Sequence, residues 1–271
     1  MAHQIGLAAL TVLELTPPDM VSCAAAAGFD CIGLRLIPAT VEEVQHAMVG
    51  DTPLVRETER RLKETGIRCL DIEIFRLKPD TSVADYEAAL ETGARFGACE
   101  ALIAGNDPDE TRLSDNFAAF CDLARPYRIG INLEPMPWTD CKNFAQGLRI
   151  VAAADRNNGG VLIDPIHFDR GGSHADEILE TPRALLRYMQ LCDAPAQRPV
   201  DVKTLLHQAR AERLMPGDGG LDLKAILRGV PEDIPISLEI PMQTLAKSVS
   251  AVERAKQMLS KTRQLLDRLK S

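Results

Sequence analysis

The stretch Gly160-Val-Leu-Ile-Asp-Pro-Ile-His-Phe-Asp-Arg170 sets the frame for the whole 271-residue chain. A short apolar run ends in Asp164, and Pro165 stops the strand at once. His167 follows three residues later, in an expected loop. The run is bounded by Asn157-Asn158-Gly159 and Gly171-Gly172, so it reads as a buried strand of a parallel sheet. An acid at the carboxyl end of such a strand reads as a site residue, because α/β folds gather their sites at that end. The plain alternative is an aspartate that starts a turn before proline. Similar strand ends elsewhere in the chain favour the first reading.

Working outward, strands are expected over residues 4–10, 30–37, 67–75, 98–104 and 128–134, then the stretch above, then 187–192 and 236–240. Helices are expected over 17–28, 82–96, 113–124, 142–154, 176–186, 200–213, 221–227 and 244–269, and over Pro53–Thr65, with a short helical insert at 40–46. Thr16 stands as N-cap before Pro17, and Gly66 closes Pro53–Thr65. Eight strands alternating with helices over this length is the pattern of an α/β chain folded as a (β/α)8 TIM barrel. No linker divides it, so one domain over 1–271 is expected.

A closed barrel implies a parity. Alternate side chains face the helices and the lumen. Ile32, Leu34, Leu36, Leu70, Ile72, Ile74, Ile129, Ile131 and Leu133 are expected outward. Near the carboxyl ends, the inward set is Arg35, Glu73, Asn132, Glu134, Asp164, Gln190 and Glu239. Charges pointing into a barrel are costly unless they bind something or one another.

Glu134, Asp164, Gln190 and Glu239 sit at successive strand ends, separated by 30, 26 and 49 residues. Carboxylates converging there repel unless a cation lies between them. Ligation by oxygen alone, without thiolate, points to a hard divalent ion, Mg²⁺ or Mn²⁺ before Zn²⁺. The alternative is an inward salt-bridge network in which Arg35, Arg76 or Arg213 neutralises the acids.

The net charge of −8 and a pI near 5.2 argue against nucleic acid as the main partner. The N-terminus has no basic region of a signal peptide, and no apolar run approaches membrane-span length, so no membrane partner is expected. Seven scattered cysteines without CxxC spacing read as free thiols in a reducing cytoplasm.

The motifs Leu133-Glu-Pro, Leu162-Ile-Asp-Pro-Ile-His167, Gln190-Leu-Cys-Asp193, Arg213-Leu-Met-Pro-Gly-Asp-Gly219 and Leu238-Glu-Ile resemble those of the sugar phosphate isomerase/epimerase family. That family has a xylose-isomerase-like TIM barrel and includes ketose 3-epimerases, inosose-processing enzymes and hydroxypyruvate isomerases. The resemblance implies one divalent metal held by Glu134, Asp164, Gln190 and Glu239, with His167 and Arg213 contacting a small-molecule substrate. The family's usual strand-seven histidine is Gln190 here, and glutamine at this place also resembles some 3-dehydroshikimate dehydratases on the same barrel. The related DNA-repair endonucleases use three metals and many more histidines than the five present here.

The expected enzyme is therefore a metal-dependent isomerase or epimerase of a small polyhydroxy ketone or sugar. Glu134 and Glu239 would move the proton, and His167 and Arg213 would steady charge on oxygen. A lyase on the same site and a non-catalytic accessory barrel are the alternatives. Trp138 reads as a substrate wall or a loop anchor, and Arg35 as a grip for an anion or a partner for Glu73. His174 reads as exposed. The apolar side of the last helix packs on the barrel or makes a homo-oligomer contact.

Overall fold

Side-chain alternation along the strands closes this chain into a barrel. Ile32, Leu34, Ile131 and Leu133 are fully buried in the layer between strands and helices, as expected. Their neighbours Gly33 and Asn132 face the lumen, beside Asp71 and Glu100 respectively. The computed structural model describes residues 3–270. Its strands are β1 (Ile5–Leu7), β2 (Cys31–Arg35), β3 (Arg68–Leu77), β4 (Glu100–Gly105), β5 (Gly130–Glu134), β6 (Gly159–Val161), β7 (Met189–Leu191) and β8 (Ile236–Leu238).

All pairings are parallel, in the order β6-β5-β4-β3-β2-β1-β8-β7. The two ends of this order meet in a single parallel bridge, Ile163 to Met189, where the Gln190 amide donates to the Ile163 carbonyl at 2.9 Å. The barrel is closed along this narrow seam, as the (β/α)8 pattern predicted.

Several expectations are corrected. The first strand stops at Leu7 and runs into a 3-10 turn, Ala9–Val12. Residues 40–46 form turns and bends, not a helix. The segment 82–96 divides into a 3-10 turn, Val83–Tyr86, and a helix, Glu87–Phe96. Residues 176–186 hold only the short helix Ala175–Leu179 and a 3-10 turn, and the last segment divides into Gln243–Ala246 and Ala251–Lys270. Thr16 does not cap through its side chain, because its hydroxyl donates to Asp19 at 2.6 Å instead.

Parity fails on β3. The register slips between Ile32 and Gly33 against β2, and again between Ile72 and Phe75 against β4. Each bulge inserts a residue and resets the alternation. Leu70 and Ile74, expected outward, therefore join the lumen cluster with Cys31, Leu102, Ala104, Met136, Leu162 and Tyr188. Cys69 packs in the outer layer.

Pro17, Pro53 and Pro165 each open a helix, where the missing N–H would have had no partner. Gly66 ends Pro53–Thr65 at φ +72°, a conformation open to glycine without steric penalty. The helix Ala251–Lys270 buries Ala255, Met258, Leu259 and Thr262 and lies against Pro17–Ala27. Burying Met258 and Leu259 contributes about 1.5–3 kcal/mol each. All seven cysteines are free, and six are buried. No helix among the described residues is long and apolar enough to cross a membrane.

Candidate active site

Asp164 follows β6 and caps the helix Pro165–Arg170, its Oδ1 accepting the Ile166 amide at 3.0 Å. That helix replaces the expected loop and fixes His167 one turn in. The His167 Nε2 thereby stands 3.6 Å from Asp164 Oδ2 and 3.7 Å from Glu134 Oε1. Trp138 meets the imidazole edge-on, with ring centres 4.8 Å apart, and Arg210 lies 5.6 Å from the centre of the indole.

Glu134, Asp164, His167 and Glu239 are all buried, and each offers a ligand atom within 4.8 Å of the others. Gln190 is buried beside them and donates its amide to Glu239 Oε1 at 2.9 Å, while its own Oε1 has no partner. Arg213, expected to contact substrate, is only 2% exposed. Its guanidinium bridges Asp164 Oδ2 and Glu239 Oε2, each at 2.6 Å. Arg35 pairs with both Glu73 and Glu43 at 2.9 Å, so it takes the partner role anticipated for it. Arg76 forms no ion pair with the clustered acids and donates to Asn106 and the Ala39 carbonyl instead.

The salt-bridge network is therefore real, but it is incomplete. Three carboxylates surround one guanidinium, which leaves two negative charges when all are ionised. Burial, then Glu239 and Asp164, pushes the Glu134 carboxyl well above its usual range. Burial pushes Glu239 up to about 8, against Arg213, which pulls it down. At Asp164 burial also acts upward, yet Arg213 and His167 outweigh it and hold the group low. Burial lowers His167 to about 4, so the imidazole is neutral at pH 7.

Surplus negative charge, the unpartnered Glu134 Oε1 and Gln190 Oε1, and an oxygen-rich donor set together fit a hard divalent cation. Glu134, Asp164, Gln190 and Glu239 would hold it. His167 adds an imidazole donor that sequence spacing had set apart from the ligands.

A cavity of about 690 Å³ opens over this cluster, lined by Arg35, Glu134, Trp138, His167, Arg213 and Glu239 among others. Asp164 and Gln190 are buried and do not line it. Two arginines stand on its wall: Arg210 escaped the sequence reading, and Arg76 entered it only as a possible neutraliser of the acids, not as a cavity residue. Arg76 lies beyond the bulges that broke the parity of β3, and Arg210 belongs to a helix, where strand parity gives no signal. Deeper in the lumen, Glu100 holds Arg187 and Asn132 at 2.8 Å each. Glu100 was legible from the alternation Glu100, Leu102, Ala104 on β4.

The model of the xylose isomerase-like TIM barrel family matches residues 21–265. The chain is 24% identical over 278 aligned positions to a 3-dehydroshikimate dehydratase of Pseudomonas aeruginosa, across 94% of this chain and 42% of that protein. It is 28% identical over 120 positions to an inosose isomerase of Bacillus subtilis, across 44% of this chain and 41% of the relative. The chain thus spans less than half the length of these curated relatives. A solved structure of the IOLI protein with a bound zinc atom superposes with a TM-score of 0.75 at 18% identity, covering 98% of both chains. The fold, the order of the site-bearing strands and the family match agree: the chain belongs to the xylose isomerase-like TIM barrel family.

Proposed function

We propose that this barrel is a metal-dependent enzyme that removes water from a small polyhydroxylated ketone. The carrying observation is an asymmetry between the two glutamates. Glu239 is clamped by Arg213 on one oxygen and Gln190 on the other, whereas Glu134 accepts no hydrogen bond from the described residues. Glu134 is the carboxylate free to take a proton, with His167 3.7 Å away as its neighbour. A divalent cation held by Glu134, Asp164, Gln190 and Glu239 would supply Lewis-acid polarisation of the substrate carbonyl.

The remaining chemistry belongs to the side chains. Glu134 takes the proton from the carbon beside the carbonyl, and burial raises its basicity for that task. The proton taken by Glu134 then passes through the neutral imidazole of His167, 3.7 Å away, to the departing β-hydroxyl, which returns both side chains to their starting states. One C–H and one C–O bond break, a C=C bond forms and water leaves, with no oxidant required. Arg213 keeps Asp164 and Glu239 in place, and Trp138 walls the cavity beside His167. The similarity to a 3-dehydroshikimate dehydratase along 94% of this chain supports the dehydratase reading.

A second reading, the isomerase or epimerase expected from sequence, is favoured by one observation. Glu239 belongs to the same buried cluster, and burial pushes it up to about 8, so it can hold and return a proton at neutral pH. The inosose isomerase likeness supports this reading over a shorter stretch.

Incubation with 3-dehydroshikimate and with an inosose in deuterated water, with Mn²⁺ or Mg²⁺ present, separates the two. The proposal expects a product lighter by one water, and Glu134→Gln should lower kcat by roughly 10²–10⁴-fold. Deuterium gained at carbon without loss of mass makes the second reading correct. Inertness toward both substrates, with metal bound, overturns both.

A further inference from the structure

Arg76, near the end of β3, and Arg210, in the last turn of the helix Val202–Ala211, stand on the wall of the cavity above the carboxylates. Their setting differs from that of Arg35 and Arg213, each of which is engaged by two carboxylates. Arg76 donates only to neutral acceptors, Asn106 Oδ1 at 3.0 Å and the Ala39 carbonyl at 3.2 Å. Arg210 has the face of Trp138, 5.6 Å from the ring centre. Among the described residues, neither guanidinium has a carboxylate within ion-pair distance.

Of the acids near this wall, Glu134 belongs to the carboxylate cluster at the reacting end. Glu43 holds Arg35 and the Ala39 amide, and Glu42 is bonded to Thr40. Burial, followed by the charge of Arg210, pulls Arg76 below its ordinary value, with Glu134 and Glu43 opposing. Burial does the same to Arg210, with Arg35 acting in the same direction and Glu43 opposing. Two partly buried cations that repel each other across one wall form an unfavourable arrangement unless an anion enters between them.

We propose that Arg76 and Arg210 form an anion-binding arm of the cavity, so that the substrate carries a carboxylate or phosphate in addition to its ketone. This rests on the reading of the clustered carboxylates as the reacting end. Guanidinium groups suit such an oxyanion through charge-assisted hydrogen bonds. Leu102, Met136 and the indole of Trp138 supply the apolar wall for the carbons of the substrate. The cavity volume lies within the usual range for small-molecule sites.

Calorimetric titration of the metal-loaded chain tests this without relying on turnover. The probes are 3-dehydroshikimate against its neutral methyl ester, and fructose 6-phosphate against fructose. One anion should bind about tenfold or more tightly than its neutral counterpart. A preference in the first pair assigns a carboxylate, and one in the second a phosphate. Arg76→Gln and Arg210→Gln should each remove most of that preference and leave neutral binding unchanged, whereas Arg→Lys at either place should restore part of it. The wild-type comparison needs no variant, so misfolding of a variant does not blunt the test. Equal binding of acid and neutral partner, or a preference that survives both glutamine variants, overturns the arm. An intact preference with no turnover of any probe would sink the proposed reaction and leave the arm standing.

Discussion

At the scale of single residues, the lumen keeps some acids charged and others neutral by changing what surrounds them. Burial raises Asp164, and Arg213 and His167 together outweigh it and hold the group low. Asp71 has no such partner. Its Oδ1 is buried without a hydrogen bond, and burial, then Glu73 and Glu239, raises its carboxyl well above the usual range. A carboxyl whose pKa is raised by folding contributes stability below its unfolded value, and that contribution is lost as pH rises toward the folded value. Asp71→Asn keeps the shape and cannot ionise. In chelator-treated protein, its melting temperature should exceed that of wild type by about 2 °C or more near pH 8, with the gap narrowing toward pH 5. Thermal unfolding over that range checks this, and a gap that does not change with pH would show that Asp71 is already compensated. Residues of this kind were legible in the sequence wherever apolar neighbours marked the outward face. Ile131 and Leu133 betrayed Asn132 and Glu134 in that way. Alternation gave no such mark to Arg213, which ends an expected helix and was singled out only by its motif, although its guanidinium lies beneath two carboxylates.

At the scale of elements, the limits of that legibility have physical causes. Alternation is a property of regular strands, and β5 obeys it throughout. The two bulges of β3 reset it, which turned Leu70 and Ile74 inward and carried Arg76 to the cavity wall. Helices were readable where proline and glycine punctuate them, as at Pro53–Thr65. Where only turns join apolar residues, as in 40–46, periodicity without a capping signal misled. Glycine at the foot of β5 has a different cause, because a β-carbon on Gly130 would fall on the paired ends of Arg187 and Glu100. Their ion pair, at 2.8 Å, ties β7 to β4 across the lumen. Gly130→Ala should therefore part Arg187 from Glu100 and destabilise the chain by about 1–3 kcal/mol, the usual range for overpacking. Denaturant unfolding checks this. A variant as stable as wild type would mean that the arginine swings aside at no cost.

At the scale of the whole molecule, the site lies on the weakest closure of the barrel. β6 and β7 meet through one bridge, Ile163 to Met189, and the residues just past it are Asp164 and Gln190. Two of the four residues proposed to hold a cation thus come from opposite sides of the seam, and the other two close β5 and follow β8. A cation bound by all four would join strands that backbone hydrogen bonds hold only narrowly. It would also neutralise the charge that Arg213 leaves uncompensated. Binding to the native state alone raises stability by mass action, about 2.7 kcal/mol at one hundred times the Kd. In a chain of this size that corresponds to roughly 5 °C or more in melting temperature. Mn²⁺ or Mg²⁺ added to chelator-treated protein should produce such a rise, and Asp164→Ala should abolish it. The location of the effect is the sharper test. Amide exchange should slow most at residues 162–164 and 189–191 and little along β3 and β4, whose ladders are long without help. Uniform slowing, or a thermal rise that persists in Asp164→Ala, would put the ion elsewhere. Slowing confined to the seam would mean that one event assembles the reacting end of the cavity and closes the fold.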